Sequence, residues 1–320
     1  VIGTFGQEFW SVREIADLLF GTGRGGIVLS LRANFDGSGK NDSPVLTVGG
    51  IVAWSDVCET TERLWNGALM DAGYCDEGGN AGVFHLADFG TEYCEYGSGS
   101  WDIETKRVPF IKNLSRIANR VDCVIASFSV ETSQVKTFLE QCPHKEVYGP
   151  EIFSAAAILI FSYIEEVLDR FNDARIGYVF EHGDRQHEMN IAFEEMLLAH
   201  PNLAKFRSLG FLPKQTPILQ VTDLVAGKIN ECLTRAVAAL GNLDNGSIMT
   251  PVSNFDRYYS HDGTTAELMR EDAGFGRHDC YVLNQSYLLK ADQKLFSAIK
   301  NDPRILERRA KHKLWKPKHE

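Results

Sequence analysis

Three acids in this chain stand where a carboxylate can do chemistry: Asp36, Glu181 and Asp223. Asp36 closes the alternating run "GIVLSLRANFD" and is followed at once by "GSGKND". Glu181 closes a second strand-like run, "ARIGYVFE". Asp223 lies in "PILQVTDLVAGKINECL", beside a helical stripe of Ile218, Val221, Val225 and Ile229 that would face a core. That position half-buries a carboxylate, which is costly unless a partner or a cation meets it. Carboxylates gathered from two strand ends and one helix make a hard-oxygen site suited to Mg2+ or Mn2+. Two such ions about 3.5–4 Å apart can activate water and stabilise the leaving oxygen in phosphodiester hydrolysis, with Asp36 bridging them. Each acid also has an ordinary reading. Asp36 can open an Asp-Gly hairpin turn, Glu181 can be a surface acid at a strand end, and Asp223 can pair with Lys228 or Arg235.

The elements that would position these acids are legible in the pattern. Residues 26–36 alternate Ile27, Leu29, Leu31, Ala33 and Phe35 against Ser30, Arg32, Asn34 and Asp36, which predicts a strand. Residues 45–53, "VLTVGGIVA", predict its antiparallel partner, and Gly49 and Gly50 mark a bulge or a close backbone approach. Helices are predicted from Ser55 or Asp56 to about Met70, over 105–119, from about Gly149 to Phe171, over 189–198 and from Pro217 to Leu240. Further strands are expected over 121–130 and 174–181, with a short extended piece at "FRSLGFLP". Residues 241–280 read as loop-rich and the last helices as 284–312. A hairpin first and helical crossovers later describe an α/β fold, a mixed sheet with helices on its faces. Residues 1–25 read as an N-terminal extension whose "GTGRGG" precedes a strand, the wrong order for a dinucleotide loop. Residues 26–300 then form one domain with insertions, and 301–320 a basic tail.

Bulk properties narrow the function. The chain has 320 residues and a formal charge of −10, which disfavours a generic duplex-gripping module. The charge is uneven. Residues 300–320 hold eight Lys/Arg against three Asp/Glu, a local +5, so residues 1–299 carry −15. A basic tail can touch nucleic acid or an acidic surface, or simply be a solvated helix. Seven scattered cysteines without a CxxC pattern predict free thiols in a reducing cytoplasm. The spacing of Cys75, His85 and Cys94 matches no compact zinc module. The densest apolar stretch, Ile152 to Ile164, is too short for a membrane span, and no secretory-signal pattern is read.

Four segments, "NFDGSGKNDSPVLTVGGIVA", "FHLADF", "IGYVFEHGD" and "KQTPILQVTDLVAGK", occur in an order that resembles the bacterial and phage-associated domain-of-unknown-function family 3800. The likeness spans roughly residues 28–240. It implies a ribonuclease-H-like fold with helices on both faces of the sheet and acids placed as in metal-dependent nucleases and resolvases. Carried over, Asp36 matches the first-strand acid, Glu181 the acid of the later strand and Asp223 the acid of the final helix. The resemblance also makes His85 a candidate general acid/base or metal ligand and Asp88 a further ligand. His182, Asp184 and His187 lie near Glu181 in sequence, where loop polarity explains them as well. Many members carry a second acid directly after the first, and here that place is Gly37. Thr222 stands where Ala is usual.

The reading that results is a metal-dependent nuclease or phosphodiesterase, with Lys40, Lys214 and the tail available to a phosphate backbone. Two alternatives accompany it. One is a non-catalytic ribonuclease-H-like binding module in a defence or mobile-element system, which Gly37 and the acidic body would suit. The other is a hydrolase of small phosphorylated compounds.

Overall fold

The structure is a computed structural model that describes residues 30–39, 43–89, 106–119, 124–142, 175–183, 207–240 and 278–283, with 186, 189, 190, 193, 194, 197, 288, 289 and 293 as single positions or pairs. It is an α/β protein built on one mixed sheet. β1 (Ser30–Ser38) and β2 (Val45–Trp54) form the expected antiparallel hairpin, and β3 (Val124–Glu131) adds antiparallel to β2. β4 (Arg175–Glu181) lies parallel to β1, β5 (Arg207–Leu212) parallel to β4, and β6 (His278–Leu283) parallel to β3. The strand order is β5-β4-β1-β2-β3-β6.

Between β2 and β3 come α1 (Ser55–Asp71), the short α2 (Leu86–Phe89) and α3 (Val108–Ala118). α4 (Thr132–Gln141) follows β3 directly, and α5 (Pro217–Leu240) follows β5. α5 starts and ends as predicted, because proline at the first helical position lacks only an N–H that would have gone unpaired. Two elements carry no clear signal in the sequence. α4 is short, with a buried stripe of only Thr132, Val135 and Phe138, and β6 straddles the end of the stretch 241–280 that reads as loop-rich. The N-terminal extension at 1–25 and the predicted helix at 149–171 lie outside the described residues.

Alternation gives the sheet two unlike faces. Leu31, Ala33 and Phe35 fall on one, where Phe35 meets Phe128 edge-on at 6.1 Å between centroids and Phe180 at 6.0 Å. Phe193, a helical residue, packs edge-on against Tyr178 on this same face. The opposite face carries Arg32, Asn34 and Asp36 and is covered by α5, with α1 and α3 outside it. Ile218, Val221, Leu224, Val225 and Ile229 of α5 join Ile51, Ile125 and Trp65 in one buried core. Asp223 is the acid that this apolar helix carries toward the sheet.

Gly49 decides how close α5 can come. A Cβ on Gly49 would lie 3.0 Å from the Cα of Ala226, so the helix rests almost directly on the strand backbone. The β1–β2 register runs unbroken through Gly49 and Gly50, so the close approach is present and the bulge is not. Asn230 then pins the helix along the strand. Its Nδ2 donates to the carbonyl of Val45 at 2.8 Å and to Thr47 Oγ1 at 3.2 Å.

Candidate functional site

Asp36 does not end its strand. β1 runs on to Ser38, and Asp36 is paired with Gly49, Gly37 with Val48 and Ser38 with Thr47. The left-handed turn conformation falls at Gly39, at φ 95°, three residues later. The turn reading of Asp36 is therefore replaced by a ladder position on the face that α5 covers. Gly37 contributes its backbone, donating its N–H to Asp36 Oδ1 at 2.7 Å.

Glu181 reaches the same neighbourhood through the parallel register. The last β1–β4 pair is Asn34 with Val179, so two residues further Asp36 and Glu181 stand level at the ends of adjacent strands. Glu181 is also the register partner of Leu212, after which the chain turns through Pro213 and Lys214 into α5. Asp223 comes down from above. It is seven residues before Asn230, two helical turns along the same face, and so sits over the strand ends while Asn230 holds the hairpin. Its alternative partners are engaged elsewhere, since Lys228 pairs with Glu231 at 3.2 Å and Arg235 pairs with the same Glu231.

The "FHLADF" segment docks on α5 beside Asp223. Phe84 and Phe89 are both buried and anchor it in an aromatic cluster with Trp65, Tyr74 and Phe110, at centroid distances of 5.5–6.3 Å. Between those anchors α5 grips the backbone twice. Gln220 Oε1 accepts the N–H of Phe84 at 2.8 Å, and Asp223 Oδ2 accepts the N–H of Leu86 at 2.7 Å. Leu86 packs over Gly227, where a Cβ would lie 2.5 Å from its Cδ2. His85, caught between the two grips, stands with Nε2 3.8 Å from Asp223 Oδ1. Gln220 is itself fixed, accepting from Trp65 Nε1 at 3.2 Å and donating to the carbonyl of Gln215 at 3.0 Å.

Crowding shows in the acid–base properties. Burial, then the charges of Asp223 and Glu181, push the Asp36 carboxyl up to about 8, against the opposing pull of the Gly37 N–H and the Lys214 ammonium. Burial also raises Asp223, while the Leu86 N–H, His85, Lys214 and a hydrogen bond from Asp36 work the other way. Asp36 thus holds its proton at neutral pH, donates a hydrogen bond toward Asp223, and feels the charge of Glu181.

Three hard oxygen donors that repel one another are what a small divalent cation relieves, and Asp36, Asp223 and Glu181 fit it in chemistry. They are not gathered as a ready cage. Among the described residues no group of three or more His, Cys, Asp or Glu is compact enough to hold an ion as it stands. The side chain of Asp88, in α2, lies outside the described residues, as do Cys94, Asp184 and His187. Cys75 is engaged through its backbone in a bridge to Ala81, and His182 is exposed.

Gln220 is a site feature the sequence reading missed, and Lys214, expected there only as a phosphate contact, also lowers the Asp36 and Asp223 carboxyls by its charge. The signal available for Gln220 was its spacing, three residues before Asp223 on the same helical face. Compared with known proteins, the chain matches no family model, no curated protein and no solved structure.

Proposed function

We propose that this chain is a ribonuclease-H-like, divalent-ion-dependent phosphodiesterase acting on nucleic acid. The observation that carries the reading is the convergence of Asp36, Glu181 and Asp223 at one end of the sheet, crowded enough to hold a proton on Asp36 up to about pH 8. Three antiparallel strands, β1 to β3, with β4 and β5 added parallel beside β1 and α5 laid across β1 and β2, support the ribonuclease-H-like reading.

In this reading Asp36, Glu181 and Asp223 would hold Mg2+ or Mn2+, which supplies a water of lowered pKa and charge stabilisation at the phosphate. The chain's own residues do the rest. Asp36 would have to be ionised to act as a ligand, and Asp223 keeps one oxygen on the Leu86 N–H and so stays oriented. His85, held beside Asp223, moves a proton to or from the reacting oxygens. Lys214 faces the anionic substrate from the β5–α5 turn.

The test is nuclease activity of the purified chain with Mg2+ or Mn2+ on single- and double-stranded DNA and RNA. Ion-dependent cleavage that disappears in Asp36→Asn and Asp223→Asn is expected. Failure to cut any of these substrates, or Asp36→Asn cutting like the parent, removes the proposal. The non-catalytic binding module is favoured by one observation, the lack of a compact three-ligand group among the described residues. Absence of any Mn2+ binding that depends on Asp223 would select it.

A further inference from the structure

We propose that the sheet carries a second site, separate from the three carboxylates, which binds a phosphate group at the buried guanidinium of Arg32. The inference uses none of the groups on which the phosphodiesterase reading stands and does not depend on it.

Arg32 supplies the first observation. It lies in β1 on the face that α5 covers, four residues before Asp36, so roughly 13 Å from it along the strand. Its side chain is wholly buried, and among the described residues none of its three guanidinium nitrogens has a hydrogen-bond partner. Its ladder neighbours on that face are Ala53 of β2 and Gly177 of β4, and neither offers a side-chain acceptor. A guanidinium keeps its charge inside a protein, and a buried charge without an acceptor is strongly unfavourable. An anion is what satisfies it.

Two neighbours on the same face share this condition. Asn34, the next residue of β1 on that side, donates its Nδ2 to Cys58 Sγ of α1 at 3.5 Å. Its Oδ1 is buried and has no donor among the described residues. Across the sheet the register runs from Arg32 through Gly177 to Ser208 of β5. Gly177 places no side chain between the two, and the Ser208 hydroxyl is also buried without a partner among the described residues. Buried polar groups are as a rule hydrogen-bonded. Three neighbouring exceptions on one face point to a single ligand that meets them together.

The donor and acceptor set decides the class of that ligand. Arg32 offers five N–H donors in a planar fork, which suits phosphate or carboxylate. Asn34 Oδ1 asks for a donor in return, and Ser208 Oγ can give or accept. Hydrogenphosphate has an O–H of its own and a nucleoside monophosphate has sugar hydroxyls, whereas sulfate and simple carboxylates have neither. β5 ends the sheet order and Ser208 is only half-buried as a residue, so that edge is the way in. Full burial of the guanidinium fits a free or terminal phosphate, since the middle of a polymer would have to thread beneath the helices.

The experiment is calorimetric titration of the full chain with inorganic phosphate and with adenosine monophosphate. EDTA is present, so that no cation at the carboxylates can mediate binding. Saturable binding is expected, with sulfate at equal ionic strength on the order of tenfold weaker because it leaves Asn34 Oδ1 unpaired. Arg32→Met should abolish binding, and the parent but not this variant should melt higher in phosphate than in chloride. Ser208→Ala, which removes one hydroxyl at a half-buried position, should weaken binding by about threefold to tenfold. Should Arg32→Met fail to fold, Ser208→Ala and the preference over sulfate carry the test. Tighter binding of the nucleotide assigns the site to a terminal nucleotide phosphate, and tighter binding of inorganic phosphate assigns it to the free ion. No saturable phosphate binding by the parent, equal affinity for sulfate, or binding that survives in folded Arg32→Met overturns the inference and leaves the phosphodiesterase reading untouched.

Discussion

At the scale of single residues, Asp36 is the position where stability and chemistry pull apart. Its carboxyl is pushed from an ordinary 3.8 to about 8 in the folded chain, by burial first and then by Asp223 and Glu181. The folded state therefore holds a proton that the unfolded chain releases above about pH 4. Stability from this group is complete below that pH and is lost as pH rises through about 8. Two outcomes follow. Asp36→Asn, which cannot ionise, should melt higher than the parent at pH 8, by about 2–4 °C for each kcal/mol relieved, and should flatten the decline in melting temperature between pH 4 and 8. Ion binding should show the opposite pH sense, since a cation must displace that proton. Mn2+ affinity should rise from pH 6 to pH 8, with proton release on binding visible in calorimetry across buffers of different ionisation enthalpy. Affinity that is flat over this range would mean that Asp36 is not a ligand. His85→Ala should leave Mn2+ binding nearly intact and lower cleavage by roughly 10²–10⁴-fold, as measured under single-turnover conditions.

At the scale of elements, the "FHLADF" segment and the Leu-Gln-x-x-Asp helix start are two halves of one device. Each was visible as a string, but their link was not, because a hydrogen bond between residues 84 and 220 leaves no trace in periodicity. The buried aromatics Phe84 and Phe89 set the register in which His85 meets Asp223. Similarly Gly49 was read as a bulge or close approach, and only the position of Ala226 decides between them. Gln220→Ala should therefore do two things. It leaves the Trp65 indole N–H and the Phe84 backbone N–H without an acceptor, which costs about 1–3 kcal/mol for a buried donor. It also loosens the loop that carries His85, so cleavage should fall while ion stoichiometry holds. Denaturant unfolding together with Mn2+ titration reads both effects, and a loss of stability with unchanged cleavage would reduce Gln220 to a core residue. Gly49→Ala acts on the opposite side of the same contact. Its Cβ meets helix backbone, so about 1–3 kcal/mol of overpacking cost is expected.

At the scale of the whole molecule, the hairpin, the strand β4 and the long helix α5 were legible because each has one dominant signal: alternation for β1, a short apolar run for β4, and a proline-started apolar stripe for α5. Strand order was not, since β6 joins the edge beside β3 from a part of the chain with no clear alternation. Among the described residues no helix is long and apolar enough to cross a membrane. What the fold does not balance is charge, with −15 on residues 1–299 and +5 on 300–320. A net acidic body disfavours a polyanion, so under the proposed reading a phosphate backbone needs a basic hold. The basic tail carries that charge in the sequence. Deleting 301–320 should leave Mn2+ affinity unchanged while weakening nucleic-acid binding and flattening its salt dependence. Each lost phosphate contact removes about 0.9 from the slope of log K against log salt on duplex, or about 0.7 on a single strand. Fluorescence anisotropy across a salt series measures that slope. An unchanged slope would assign the phosphate contacts to the body, with Lys214 at their centre, and restrict the preferred substrate to one short enough to avoid the acidic surface.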